Sequence, residues 1–524
     1  MATVKGENMS RLRKGQKAKP KSHSHKVEWS RLSAIALENF KRFPKLPPVH
    51  LKPLTFITGP NSSGKSSFIQ GLVLLKQSLE ATTAVGQLVF DDLVKLGSFD
   101  RVVCDQADEP KTTFSVCIYL SLQGHEADCR RDLGKAYSAT RILFSFAKES
   151  RSDDLCANAV LHALDLDLVN EDGSIEPFLR FERPNISSQV DDVEYLVKKK
   201  SEWFTKPFKG DLRVSNGRRW KPEARTIFHA AFEGLLPVAL ETTVRRATKK
   251  STTKGTDRMP VSTTVRLPLS IPNPFVGFAV RNARLALTNG LFYVGPLRVE
   301  PQFIYAQTSK RIGVRGEDAI SYLRANRSLR VHQGTPTRKC KELHACVDQW
   351  LKHLHICEGM HFQEHGDIYF EPLAGKRHLP EVGCGVGQIL PLIIECLAAL
   401  PGSTVLLEQP EIHLHQSLQA GLCDFLLVQM QRGVRIVVET HSEIMIQRLR
   451  RRIAEDKKGD LHGLCKVLFV GMASTAFVDV GIDSVGNVSS WPDMFFDQGI
   501  QEMKALAEAQ ASRDVAERGA DNED

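Results

Sequence analysis

The stretch "LTFITGPNSSGKSSFIQGLVLLKQSL", residues 54–79, decides how the chain folds. Its first five residues are an apolar run, which predicts a strand covered on both faces. From Lys65 to Leu79, Phe68, Ile69, Leu72, Val73 and Leu75 make an almost wholly apolar surface, which predicts a helix buried in the core. Between strand and helix lies "GPNSSGKS", Gly59 to Ser66, which fits G-x-x-x-x-G-K-[ST]. Glycines at those places let the main chain come close enough for its N–H groups to surround phosphates. Gly59, Asn61, Ser62, Ser63, Gly64, Lys65, Ser66 and Ser67 are therefore the candidate ATP contacts. Lys65 reaches the outer phosphates, and the Ser66 hydroxyl takes a place on Mg2+. A Gly/Ser loop with no ligand is the plainer reading; the strand before and the helix after argue against it.

Further along, "STVLL" (403–407) and "VRIVVE" (434–439) are unbroken Val/Ile/Leu runs, and "LFYVGPLR" (291–298) begins with another. Between the first two, Leu418, Leu422, Phe425, Leu426 and Met430 mark a helix closed by Gly433. Strand, helix and strand joined by short loops give a parallel α/β arrangement. The strand through 407 ends at Glu408, a carboxylate that can hold a magnesium-bound water near the phosphate loop. The next residue is Gln409, where ATP-hydrolysing machines usually carry a second acid. Glutamine orients a water but is a poor base, so slow hydrolysis is expected. The 434–439 strand leads into Thr440 and His441, a histidine placed to sense the γ-phosphate or position water, with Glu411 and Glu439 as spare carboxylates.

In this order, the phosphate loop, "EQPEIHLH" (408–415) and "ETHSE" (439–443) resemble the ABC-type ATPase heads of the SMC and OLD-like families, within the AAA family ATPases. The similarity extends to a bacterial branch ending in a motif like "WPDMFFDQ", residues 491–498, and covers the chain from about 30 to 500 apart from a poorly matching middle. The resemblance implies a P-loop NTPase of ABC-head type, α/β, with a large helical or irregular insertion between two lobes. It implies a signature segment at "VGCGVGQILPL" (382–392), with Gly385, Gly387 and Gln388 touching the ATP held by a partner copy. It also implies a histidine switch at His441, a homodimer closed by ATP, and a separately encoded effector such as a nuclease. Two departures stand out. Gly387 replaces the usual signature serine, and Gln409 replaces the usual acid, the latter a trait of the branch. Only about 80 residues follow His441, with no spaced acidic cluster, so no nuclease is expected within this chain. A P-loop kinase is disfavoured by "ETHSE" and the signature-like segment.

The expected organisation is a basic tail (1–28), a first ATPase lobe (29–130), an insertion (131–290), the rest of the head (291–500) and an acidic tail (501–524). The net charge of +9 is uneven. Residues 198–258 hold 16 Lys/Arg against 6 Asp/Glu, and "RRATKKSTTKGTDR" (245–258) reads as a mobile loop. With Trp203, Phe204, Phe208 and Trp220 interleaved, this region reads either as a nucleic-acid contact or as a solvated loop over a small apolar cluster. "RLRRR" (448–452) reads as a solvated helix face. Cys340, His344, Cys346, His353, His355 and Cys357 lack paired zinc spacing, while Val347, Trp350, Leu351 and Leu354 recur at helical period, so a packed helix is expected. Eleven scattered cysteines read as reduced thiols. The longest apolar stretch, "ILPLIIECLAAL" (389–400), is too short to span a bilayer and contains Glu395, so no membrane partner and a cytoplasmic location are expected.

Overall fold

The computed structural model describes residues 30–81, 85–104, 112–149, 158–184, 195–199, 212–213, 219–220, 228–252, 255–270, 273–302, 309–332, 340–362, 368–371, 377–381, 384–472, 476–489, 492 and 502–510. The expected tail 1–28, Trp203, Phe204, Phe208 and nearly all of "WPDMFFDQ" lie outside them.

Two sheets organise the chain. The strands used here are β1 (Leu32–Phe40), β2 (Phe43–His50), β3 (Leu54–Thr58), β4 (Thr113–Ser121), β5 (Ala139–Lys148), β6 (Ala159–Val169), β7 (Ile175–Glu182), β8 (Tyr195–Lys199), β9 (His229–Glu233), β10 (Leu236–Thr252), β11 (Gly255–Pro268), β12 (Leu291–Val294), β13 (Thr404–Glu408), β14 (Arg435–Glu439), β15 (Cys465–Phe469) and β16 (Val478–Asp479). The helices are α1 (Lys65–Glu80), α2 (Pro274–Leu287), α3 (Leu343–His353), α4 (Cys384–Ala398), α5 (Gln416–Gln431) and α6 (Glu443–Glu455). One sheet is ten-stranded and antiparallel, in the order β11-β10-β9-β8-β7-β6-β5-β4-β1-β2. The other runs β12-β13-β14-β3-β15-β16, parallel except for β16.

The parallel strands alternate between two cores, as strands covered on both faces must. Ile57, Leu406 and Val437 join the core that α1 and α2 form against the ten-stranded sheet. Leu54, Phe56, Val405, Leu407, Ile436 and Val438 face the other core, with α3, α4, α5 and α6. Helix α1 lies between the two sheets, with Phe68, Ile69, Leu72, Val73, Leu74 and Leu75 fully buried. The architecture is thus a mixed α/β P-loop fold, with the phosphate loop joining the central strand β3 to the buried helix.

The insertion departs from expectation. Among its described residues it is mainly sheet, followed by helix α2: β5 to β11 extend the sheet begun by β1, β2 and β4, and the β4–β5 ladder runs across residue 130. Residues 245–258 are not a loop, since β10 and β11 pair from Ala239↔Pro268 to Thr252↔Gly255. The physical reason lies in the second sheet face. Ile142, Phe144, Leu164, Leu166, Leu179 and Phe181 face the core. The alternate positions carry ion pairs, Arg141–Asp167 at 2.5 Å and Arg180–Asp165 at 2.9 Å. Charges at every second position interrupt the apolar runs without interrupting the strands. The Cys/His stretch forms α3, which turns Leu343, Cys346, Val347 and Leu351 inward and sets Trp350 edge-on to Phe425 of α5.

One buried acid ties α4 to α1. Burial pushes the Glu395 carboxyl from its ordinary 4.5 up to about 7, opposed by the charge of Lys76. A raised carboxyl favours the protonated native form, so its stabilisation is complete below pH 4.5 and is lost as pH rises through about 7. We therefore expect Glu395→Gln to gain on wild type between those pH values and to be more stable above them by on the order of 2–3 kcal/mol. Denaturant titrations at pH 5 and pH 8 check this; an equal difference at both would contradict it.

Candidate nucleotide site

The phosphate loop is shaped by close approach. Gly59 has φ 147, and a Cβ there would lie 2.2 Å from the Val470 carbonyl oxygen of the strand end beside it. Gly64 has φ 102, and its Cβ would lie 2.9 Å from the Phe43 ring. Ser62, with φ 59, is also left-handed. The loop borders an open cleft of about 480 Å³ lined by Arg42, Asn61, Ser62, Gly64, Lys65, Ser66, Ser67, Gln409, Glu439 and His441. All of these but Arg42 were named from sequence, Glu439 as a spare carboxylate. The Lys65 ammonium donates to the carbonyl oxygens of Gly59 (3.0 Å) and Pro60 (2.6 Å). Ser63 is fully buried beneath the loop.

Three carboxylates stand behind the cleft, each with its own donor. The Ser66 hydroxyl donates to Glu439 Oε1 at 2.8 Å. The Tyr293 hydroxyl donates to Glu408 Oε1 at 3.0 Å. The main-chain N–H of His441 donates to Glu411 Oε1 at 2.6 Å. Burial raises all three carboxyls. Glu408 reaches about 8, pushed further by neighbouring Glu439. Glu439 is raised less freely, because Ser66 and Lys65 favour its charged form. Burial and the Lys65 charge lower the His441 imidazole, which keeps it neutral at pH 7. Ser66 thus meets Glu439, a spare carboxylate in the sequence reading, whereas Glu408 sits deeper against Tyr293.

The donor set fits magnesium. Glu439 Oε2 and Glu411 Oε2 are buried without a hydrogen-bond partner, and a hydroxyl lies beside the first. Hydroxyl and carboxylate oxygens are what Mg2+ takes, and it completes its octahedron with waters and phosphates. No cage of three His, Cys, Asp or Glu side chains converges among the described residues, and magnesium at a nucleotide does not require one.

Sequence reasoning missed three residues. Arg42, in the turn between β1 and β2, lines the cleft and donates to the Ser62 carbonyl at 2.8 Å. Its neighbour Lys41 adds positive charge near Glu408. Arg298 is buried and donates to the carbonyl oxygens of Glu408 (2.9 Å) and Gln409 (3.3 Å). These residues come to the site through the hairpin and the segment after β12, and no local motif announces them.

Gly385, Gly387 and Gln388 are not in this cleft. Gly387 borders a second, small pocket with Pro301, Gly316 and Pro391. A Cβ on Gly387 would lie 2.5 Å from Pro301 Cγ, so a close neighbour in the same chain accounts for that glycine. Gln388 donates its side-chain amide to the Arg298 carbonyl at 3.5 Å. Val382 and Gly383 lie outside the described residues.

Residues 337–446 match the family described as "AAA domain, putative AbiEii toxin, Type IV TA system". That span holds α3, α4, β13, Gln409, β14 and His441, and stops short of the phosphate loop. Among solved structures, the chain is similar to an SMC head bound to the C-terminal winged-helix domain of ScpA, at 12% identity and TM-score 0.38, covering 86% of this chain and 98% of that one. It is similar to the SMC head domain from Thermotoga maritima, at 12% identity and TM-score 0.34, covering 86% and 99%. It is also similar to the Pyrococcus furiosus Smc head with an extended coiled coil bound to the C-terminal domain of ScpA, at 12% identity and TM-score 0.33, covering 92% and 99%. No curated protein matches the chain.

The close approach at Gly59 can be tested separately from backbone strain. We expect Gly59→Ala to weaken ATP binding by about tenfold or more, since the loop must move off the Val470 carbonyl. Gly124→Ala, also left-handed but with open space around it, leaves affinity unchanged. Calorimetric titration of both variants decides the matter.

Proposed function

We propose that this chain is an ABC-type ATPase that binds ATP with Mg2+, hydrolyses it slowly, and closes into a homodimer as a switch in a nucleic-acid-linked process. The observation that carries the reading is the convergence on one cleft of the Lys65 ammonium, the Ser66–Glu439 pair, Gln409 and His441. Ser66 would hold the cation, with Glu439 beside it and Glu408 behind; the cation would neutralise phosphate charge. Lys65 binds the outer phosphates, and Arg42 adds a second positive charge at the mouth of the cleft. Gln409 and neutral His441 orient the attacking water, and Lys65 stabilises charge that develops on the phosphate. Gly385, Gly387 and Gln388 would reach the ATP of a second copy, which is why ATP should drive dimerisation. Anti-phage defence or DNA maintenance, with a separately encoded effector such as a nuclease, is the process we favour. The toxin–antitoxin wording of the matched family is in keeping with it. No helix among the described residues is long and apolar enough to cross a membrane, and we place the protein in the cytoplasm.

A second reading, an ATP-gated scaffold without turnover, is favoured by Gln409 and by the Tyr293 hydroxyl on Glu408. Single-turnover assays separate the two. We expect Lys65→Ala to remain folded and to lose ATP binding at micromolar nucleotide. Wild type should hydrolyse slowly, Glu408→Gln hardly at all. Gln409→Glu should be faster by about tenfold or more, out of the roughly 10²–10⁴ that a placed general base supplies. A wild type that binds ATP but shows no turnover as a dimer, with nucleic acid or with a partner, leaves the scaffold reading.

ATP-dependent dimerisation has its own measurement. We expect the mass in solution to rise from one chain to two with ATP and magnesium for wild type, and to remain at one chain for Lys65→Ala. A mass that ignores nucleotide in both would remove the trans contact from the proposal.

A further inference from the structure

The ten-stranded sheet ends in a feature that the ATPase reading does not use. Strand β9 pairs with β10 only as far as His229↔Glu241. Beyond Glu241, β10 and β11 continue as a pair, from Thr242↔Val265 to Thr252↔Gly255. Among the described residues, eleven of each strand therefore form a two-stranded ribbon, roughly 35 Å long at the usual rise. The ribbon stands at the sheet edge opposite β2, roughly 40 Å along the sheet from the hairpin that carries Arg42.

Its composition is one-sided. Residues 242–252 and 255–265 contain Arg245, Arg246, Lys249, Lys250 and Arg258 against the single acid Asp257. At the base of the ribbon, Arg266 already has a partner in Glu241, at 3.7 Å. The register sets Lys249 directly opposite Arg258, and Lys250 opposite Asp257. Like charges at opposed positions destabilise a ladder, and an anion between them reverses the sign. The remaining positions are mostly Ser and Thr, with Thr242, Thr243, Thr248, Ser251, Thr252 and Ser262 among them, residue types that hydrogen-bond phosphate oxygens.

We propose that this ribbon docks on double-stranded DNA, in the major groove. The B-form major groove, about 12 Å wide, admits a two-stranded β-ribbon, whereas the A-form RNA major groove is too deep and narrow to admit one. Arg245, Arg246, Lys249 and Arg258 supply phosphate contacts, and the absence of aromatic side chains in the ribbon argues against a stacking platform for single strands. The proposal rests on the nucleic-acid part of the function above and needs no hydrolysis. The competing explanation is protective: lysines at a sheet edge discourage strand addition by another chain.

The test uses the full chain, nucleotide-free and with ATP, and a fluorescent DNA duplex of about 30 base pairs titrated between about 50 and 200 mM salt. Wild type should bind with a log–log salt slope of about −4, so that affinity falls by about 10²–10³ over that range. Replacing Arg245, Arg246, Lys249 and Lys250 with Gln should flatten the slope by about 3, with ATP affinity unchanged as the check on folding. Exchanging the same four as Arg→Lys and Lys→Arg keeps the charge and should keep the slope. An RNA duplex of the same length should bind at least about tenfold more weakly. If wild type binds DNA and the Gln variant binds it with the same slope, the ribbon proposal fails and the nucleic-acid reading stands. If wild type binds no DNA or RNA at low salt, both fail. If RNA is bound as well as DNA, the groove assignment is overturned.

Discussion

Everything around the cleft depends on one constraint: α1 has no exposed face. A helix that starts at a phosphate loop could lie on a surface, with one stripe of apolar residues turned inward. Here both sheets cover it, and Leu72, Val73, Leu74 and Leu75 are buried in succession. The helix therefore cannot roll or slide without opening the core it shares with both sheets, because packed interiors do not deform continuously. Lys65 and Ser66, its first two residues, inherit that rigidity. So does the loop before them, pinned between the Val470 carbonyl on one side and Phe43 on the other.

The same constraint explains what could be read from sequence. Strands β3, β13 and β14 are covered on both faces, so their middles are apolar on both sides and polar residues fall mainly at their ends; their partner α1 is apolar nearly all round. Those elements, and the site residues at their ends, were legible. The ten-stranded sheet is covered on one face only by the core. Its other face carries Arg141, Asp165, Asp167 and Arg180, and such alternation resembles irregular chain when the strands are read singly. Sequence reasoning recognised the basic stretch 245–258 by its charge and missed its strand pairing, because Lys, Arg, Ser and Thr say nothing about a ladder that closes over Ala239–Pro268. Arg42 was invisible for a different cause. Nothing within "ENFKRF" points to phosphate; the β1–β2 hairpin delivers it to the loop from the other sheet.

Strained backbone marks the places where the site is held. Among the described residues, six that are not glycine have positive φ: Asn39, Lys41, Ser62, His355, Gln409 and His413. Five belong to segments that build the site. Asn39 lies at the end of β1 and Lys41 in the turn that presents Arg42, Ser62 is in the phosphate loop, and Gln409 and His413 bracket the segment after β13. Such conformations cost on the order of 1–3 kcal/mol each and persist only where surrounding contacts over-determine them. For Gln409 those contacts are named. Its N–H donates to the Glu439 carbonyl at 2.8 Å, and its own carbonyl accepts from Arg298. Both bonds are to the main chain, so residue 409 is located by its backbone and by a buried arginine, whatever its side chain is. The position beside the cleft is thus fixed by the fold, and the chemistry done there is left to the side chain that occupies it. An amide at that position lowers basicity without loosening the geometry, so a carboxylate placed at residue 409 would meet the same backbone.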